Sequence, residues 1–145
     1  MDAKFLIIII LVVIIMYIFF SRKKEENVEE NEQIAEHINY RVRETLLKAG
    51  YKVTYRLHSS MISNFTKDKK DIYLCTTCVD GDKTDLEKLT YVGLHEVAHV
   101  LCKSKNHTDE WKIIFKKLLY TAADLQYLDR KKIVFPDDNF SKENK

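Results

Sequence analysis

The chain has 145 residues, with 24 Lys and Arg against 22 Asp and Glu for a net charge of +2. That surplus is too small to signal nucleic acid or an acidic partner, and the two signs are interleaved as on a solvated surface. Three glycines and one proline exclude a linker-rich or turn-rich architecture, and the length fits one domain plus an N-terminal extension.

"FLIIIILVVIIMYIFF", residues 5–20, holds no polar group except the Tyr17 hydroxyl. As a helix it rises about 24 Å, close to a ~30 Å hydrocarbon core once Ala3, Ser21 and a snorkelling Lys4 are added. A small domain cannot easily cover a helix that is apolar all round. No small-x-small cleavage site follows it. Residues 5–21 are therefore expected to form an uncleaved transmembrane anchor behind a short flank, residues 1–4. Arg22, Lys23 and Lys24 follow the run, so the positive-inside rule places the C-terminal domain in the cytosol. The sequons at Asn64, Asn106 and Asn139 agree with that side of the membrane, because a glycan on Asn106 would crowd a candidate metal ligand.

Residues 22–33 read as a charged spacer, helical in part. Ile34, Ile38, Val42 and Leu46 then recur every four residues, which predicts a helix over residues 29–49 with Gly50 at C′. "YKVTYRL", 51–57, reads as a strand. A polar loop follows, with His58 at its start as a surface residue. "DIYLCTT", 71–77, reads as a second strand, and "CVDGDK" carries Asp-Gly turn chemistry. Thr84 and Glu87 fit a capping box opening a helix over 85–103. Thr108 caps a further helix with the apolar stripe Trp111, Ile114, Phe115, Leu118, Ala122 and Leu125. "KKIVFPDD" suggests a short strand or extended arm, and residues 136–145 a polar tail.

The chemistry concentrates in "LHEVAHVLCKSKNHTDEW", residues 94–111. His95 and His99 lie four apart, so both rings leave nearly the same face of a helix, one turn apart. Two imidazoles so placed share one tetrahedral ion, and Glu96, the next position round, reaches a water on that ion without being a ligand. A catalytic zinc wants three protein ligands and one open position. His107 is the favoured third ligand, since "KSKN" turns the chain back; Glu110 and Asp124 are the alternatives. His37 reads as solvent-facing.

There are three cysteines, Cys75, Cys78 and Cys102. The odd count argues for free thiols in a reducing compartment. Cys75 and Cys78 form C-x-x-C without a second pair, which excludes a four-cysteine zinc site. A redox pair would sit at a helix N-terminus, whereas this one ends a strand.

"DLEKLTYVGLHEVAHVLCKSKNHTDEWKIIFKKLL" resembles the catalytic segment of the WLM metallopeptidases, zincins related to the SprT/Spartan proteases, with short forms in large DNA viruses. The resemblance runs from about residue 40 to 125 and is strongest over 71–119. It implies His95, His99 and His107 as ligands of one zinc ion and Glu96 as catalytic base. It also implies that the strand at 72–75 borders the cleft with a free edge for an extended substrate. Related cellular proteases act on DNA-crosslinked proteins; this chain lacks their basic tail and second zinc module.

The expected fold is α+β: a small zincin-like metallopeptidase domain over 34–135, long helices packed on a short β-sheet, preceded by one N-terminal transmembrane helix. The expected function is a membrane-anchored zinc endopeptidase. The alternative is a membrane-anchored structural or adaptor protein, of the virion type, with a non-catalytic zinc site. A DNA-binding repair factor, which would bind DNA in a salt-sensitive way, is least supported by the charge.

Overall fold

No glycine or proline interrupts residues 3–49, and the Glu- and Lys-rich spacer is made of good helix formers. The apolar run, the spacer and the amphipathic segment accordingly form one continuous helix, α1 (Ala3–Ala49), in the computed structural model, which describes residues 3–60, 62–77, 86–104 and 106–135. Among its described side chains, the buried face belongs to the C-terminal third: Ala35, Ile38, Val42, Leu46 and Ala49 enter the core. Gly50 ends it with φ of 81°. The Gly50 N–H bonds to Leu47 O at 3.1 Å and the Tyr51 N–H to Leu46 O at 2.9 Å, a Schellman closure that requires the left-handed residue.

The expected membrane-spanning helix is corrected here. Among the described residues no helix is long and apolar enough to cross a membrane. The apolar side chains that are described run from Ile7 to Phe20, about 21 Å of rise before Arg22, Lys23 and Lys24, against a hydrocarbon layer of about 30 Å. The expected fold, a zincin-like domain behind a transmembrane helix, and the single-pass, cytosol-facing placement therefore do not stand. The described chain is three α-helices around one three-stranded sheet.

The sheet comprises β1 (Arg56–Ser60), β2 (Phe65–Lys67) and β3 (Asp71–Cys75), in the order β1-β3-β2. β1 runs parallel to β3 and β2 antiparallel to it. The first strand thus begins five residues later than its composition predicts. Tyr55 is buried, and pairing of Arg56 with Asp71 sets the register. β2 lies inside the stretch expected to be loop. β3 is the central strand, with neighbours on both sides, so it has no free edge; among the described strands the outer edges belong to β1 and β2. Ile72 and Leu74 point into the core, fully buried. On the opposite face His58, Tyr73 and Phe65 stack in a ladder, with ring centroids 4.9 and 4.5 Å apart.

Two helices complete the core, α2 (Leu86–Leu101) and α3 (Asp109–Asp124). Thr108 caps α3, its side chain accepting the Trp111 N–H; the cap expected at Thr84 lies outside the described residues. α2 packs on α1, α3, β2 and β3. Gly93 permits this approach: a Cβ there would stand 3.0 Å from Val42 Cγ2 and 3.3 Å from Ile38 Cγ2. The segment expected as a strand or arm from residue 131 opens in a short 3₁₀ turn, Arg130–Lys132, after which Ile133 is extended; residues 136–138 of it lie outside the described residues. Cys102 is a buried free thiol, but Cys75 is disulfide-bonded, which corrects the expectation of free thiols there; Cys78 lies outside the described residues.

Candidate metal centre

α2 is amphipathic, and its buried side carries Leu94, Val97 and Ala98 into the core. That packing turns His95 and His99 together toward the start of α3, where His107 stands. The Nε2 atoms of His99 and His107 stand 3.1 Å apart, and those of His107 and His95 3.2 Å apart. One ligand atom from each of the three histidines lies within 4.8 Å of the others. With metal–imidazole bonds of about 2.0–2.1 Å, two nitrogens on a tetrahedral ion stand about 3.3–3.4 Å apart. Two edges of the triangle thus match a shared ion.

Trp111 forms the floor. Its ring centroid is 4.2 Å from that of His107, 4.8 Å from His95 and 5.3 Å from His99, and the residue is wholly buried. Phe115 backs both His95, at 5.4 Å, and Trp111, at 4.7 Å. This apolar wall favours neutral imidazole. Burial, followed by the neighbouring histidines, pushes His95 down to about 4. Burial, then His107 and Lys69, does the same to His99, also to about 4. His107 is lowered by burial and by Lys112. Both α2 histidines are unprotonated near neutrality, the form that donates a lone pair to a metal. A donor set of three imidazoles suits zinc rather than magnesium or calcium, which take oxygen ligands.

Glu96 is 8% exposed. Its carboxylate accepts a 2.6 Å hydrogen bond from Thr66 Oγ1 on β2. Burial raises its pKa, and the Thr66 bond opposes that rise. The two alternative ligands are occupied elsewhere. Glu110 Oε2 accepts from Cys102 Sγ at 3.2 Å and from the Lys103 N–H at 3.4 Å, which ties α3 to the end of α2. Asp124 pairs with Arg130 at 3.5 Å. Among the described residues the triad His95, His99 and His107 is the group able to hold a metal ion. His58 lies on the sheet, 3.0 Å from Asp71, and His37 accepts from Arg41 Nε on α1.

Three contributors had no sequence signature. Thr66 sits in a three-residue strand, too short for a period-2 pattern. Trp111 reads as an ordinary member of the α3 stripe. Lys69 caps α2 from afar: its Nζ donates to Cys102 O and Lys103 O, each at 2.5 Å. It does so from a turn in which Asp68 and Lys69 have φ of 51° and 55°.

No family model matches the chain, and no solved structure matches it. It is similar to three viral proteins. Uncharacterized protein 136R of Invertebrate iridescent virus 6 is 42% identical over 72 residues, 48% of this chain and 40% of that protein. Uncharacterized protein 042R of Invertebrate iridescent virus 3 is 40% identical over 70 residues, 48% of this chain and 44% of that protein. Uncharacterized protein R325 of Acanthamoeba polyphaga mimivirus is 42% identical over 65 residues, 43% of this chain and 33% of that protein. The chain thus spans less than half the length of the curated relatives it matches.

Proposed function

We propose that the chain is a metal-dependent endopeptidase in which His95, His99 and His107 hold one zinc ion and Glu96 is the general base. The observation that carries this reading is the convergence of three imidazole nitrogens, with edges of 3.1 and 3.2 Å, next to a buried carboxylate one helix position away. The resemblance of residues 71–119 to WLM metallopeptidases, which rests on these same residues, agrees with it.

When bound, the ion supplies Lewis acidity, making a water acidic near neutral pH and polarising a carbonyl. The protein supplies the rest. His95, His99 and His107 would hold such an ion with three protein ligands, the number that a catalytic site uses and a closed structural site exceeds. Trp111 and Phe115 exclude solvent from behind the ligands. The Glu96 carboxylate takes the proton of the attacking water and returns it to the leaving amine nitrogen. A structural metal site has no use for a base at position 96, which weighs against a non-catalytic adaptor.

The test is zinc content and hydrolysis of an unfolded protein substrate by the purified chain, with Glu96→Gln beside it. One zinc per chain, cleavage by the unaltered protein, and cleavage lost with zinc retained in Glu96→Gln is the expected result. Stoichiometric zinc with no cleavage of any unfolded substrate would favour the adaptor.

A further inference from the structure

We propose that Thr66 is a positioning residue for Glu96, through which edge strand β2 fixes the carboxylate that handles the proton. The inference rests on the peptidase reading and adds to it a residue 30 positions away in sequence.

Glu96 is the one acidic side chain among the buried polar residues of the described chain. A carboxylate held that far from water needs a hydrogen-bond donor, and Thr66 provides it. Oγ1 lies 2.6 Å from Glu96 Oε2 and 3.2 Å from the Glu96 backbone O. A hydroxyl has one proton to donate. The shorter contact, to a charged acceptor, takes it, and the backbone oxygen is the weaker branch. Donation to Oε2 fixes the rotation of the carboxyl group and leaves Oε1 as the oxygen free to accept a proton.

The hydroxyl itself sits on a rigid mount. Side chains alternate along β2, so exposed Phe65 and Lys67 face away while half-buried Thr66 faces α2. Before β2, Asn64 Oδ1 accepts the Cys75 N–H at 2.7 Å and so ties that end to β3. After β2, Lys69 is bonded to Cys102 O and Lys103 O, the carbonyls just past the end of α2. β2 is therefore fastened to β3 on one side and to the histidine-bearing helix on the other. Because β2 is an outer strand, an extended peptide pairing with it would lie against the residue that orients the base.

The experiment compares Thr66→Val, which keeps the shape and removes the hydroxyl, with Thr66→Ser, which keeps the hydroxyl, in the full zinc-loaded chain. Thr66→Val is expected to lower kcat by about ten- to a hundred-fold, the scale of a misplaced catalytic group, with KM and zinc affinity within about two-fold of wild type. Thr66→Ser is expected to restore most of kcat. A second readout needs no activity: urea unfolding of the metal-free chain in a double-mutant cycle of Thr66→Val with Glu96→Ala. Non-additive changes show the contact directly. Full kcat in Thr66→Val, equal impairment in Thr66→Ser, or an additive cycle overturns the proposal while leaving the peptidase reading intact. A wild-type chain that binds zinc and cleaves nothing overturns the peptidase reading, and this role with it.

Discussion

The Nε2 atoms of His99 and His107 lie 3.1 Å apart, although one side chain leaves the last turns of α2 and the other precedes α3. The link between them is short and tied down at both ends. Lys69 holds the carbonyls at the end of α2, and Thr108 caps α3. The candidate metal site is thus a property of how two helices meet, and any affinity for an ion should track that junction as well as the three histidines.

Removing one ligand should test the triad directly. His95→Ala, His99→Ala or His107→Ala each leaves two imidazoles, and zinc affinity is expected to fall by about a hundred-fold or more, since ligand count dominates such sites. Glu110→Ala and Asp124→Ala should leave it within a few-fold, because Glu110 is bonded to Cys102 and Lys103 and Asp124 to Arg130. Isothermal titration with zinc against a competing chelator measures this. An affinity unchanged in His107→Ala and lost in Glu110→Ala would reassign the third ligand.

Trp111 offers an optical reading of occupancy. It is the chain's single tryptophan, and its ring lies within 5.3 Å of each of the three imidazole centroids. Cobalt(II) added to the metal-free chain should quench its emission in proportion to occupancy, saturate at one equivalent and be reversed by chelator. Quenching that needs several equivalents would mean the ion binds away from this wall.

The legibility of these features in the sequence followed their range. His95, Glu96 and His99 lie on one helical turn, so their spacing alone places them together, and Thr108 and Gly50 act on their own neighbours. What escaped depends on partners distant in sequence. Thr66 has meaning only because β2 packs on α2, and the start of β1 is set by Asp71 across the sheet rather than by the β-branched run before it. The helix over residues 3–49 escaped for another reason. The change of composition at Arg22 suggested a boundary, but a stretch of good helix formers without Gly or Pro gives the backbone no cause to stop.

Acid should destabilise the metal-free chain in a defined window. His95 and His99 titrate near 4 in the folded chain and near 6.5 when unfolded. Between those values the unfolded chain binds more protons at these two positions, so their contribution makes stability fall as pH falls from about 6.5 to about 4. Glu96, whose pKa is raised by burial, acts in the opposite direction, but the histidines outnumber it. Urea midpoints measured with chelator from pH 7.5 to 4 should show this fall, and a His95→Gln, His99→Gln double variant should show a shallower one. Equal slopes for the two proteins would place the acid sensitivity in other groups.

The Lys69 ammonium carries the last prediction, because it joins the β2–β3 turn to the end of the histidine-bearing helix. Its bonds to Cys102 O and Lys103 O hold the two carbonyls that follow α2 directly, at the negative end of the helix dipole. Lys69→Met keeps most of the apolar stem and removes the charge and the donors. It should cost about 1–2 kcal/mol of stability, on the scale of hydrogen bonds to a charged group at a half-buried position. Lys70→Met, next in the same turn and exposed, should cost little. Because the freed segment sets the distance between His99 and His107, Lys69→Met should also weaken zinc binding several-fold, and saturating zinc should restore part of the lost stability. Lower stability with unchanged zinc affinity would mean that the end of α2 holds its position without the lysine, and that Thr108 and Glu110 alone fix the junction.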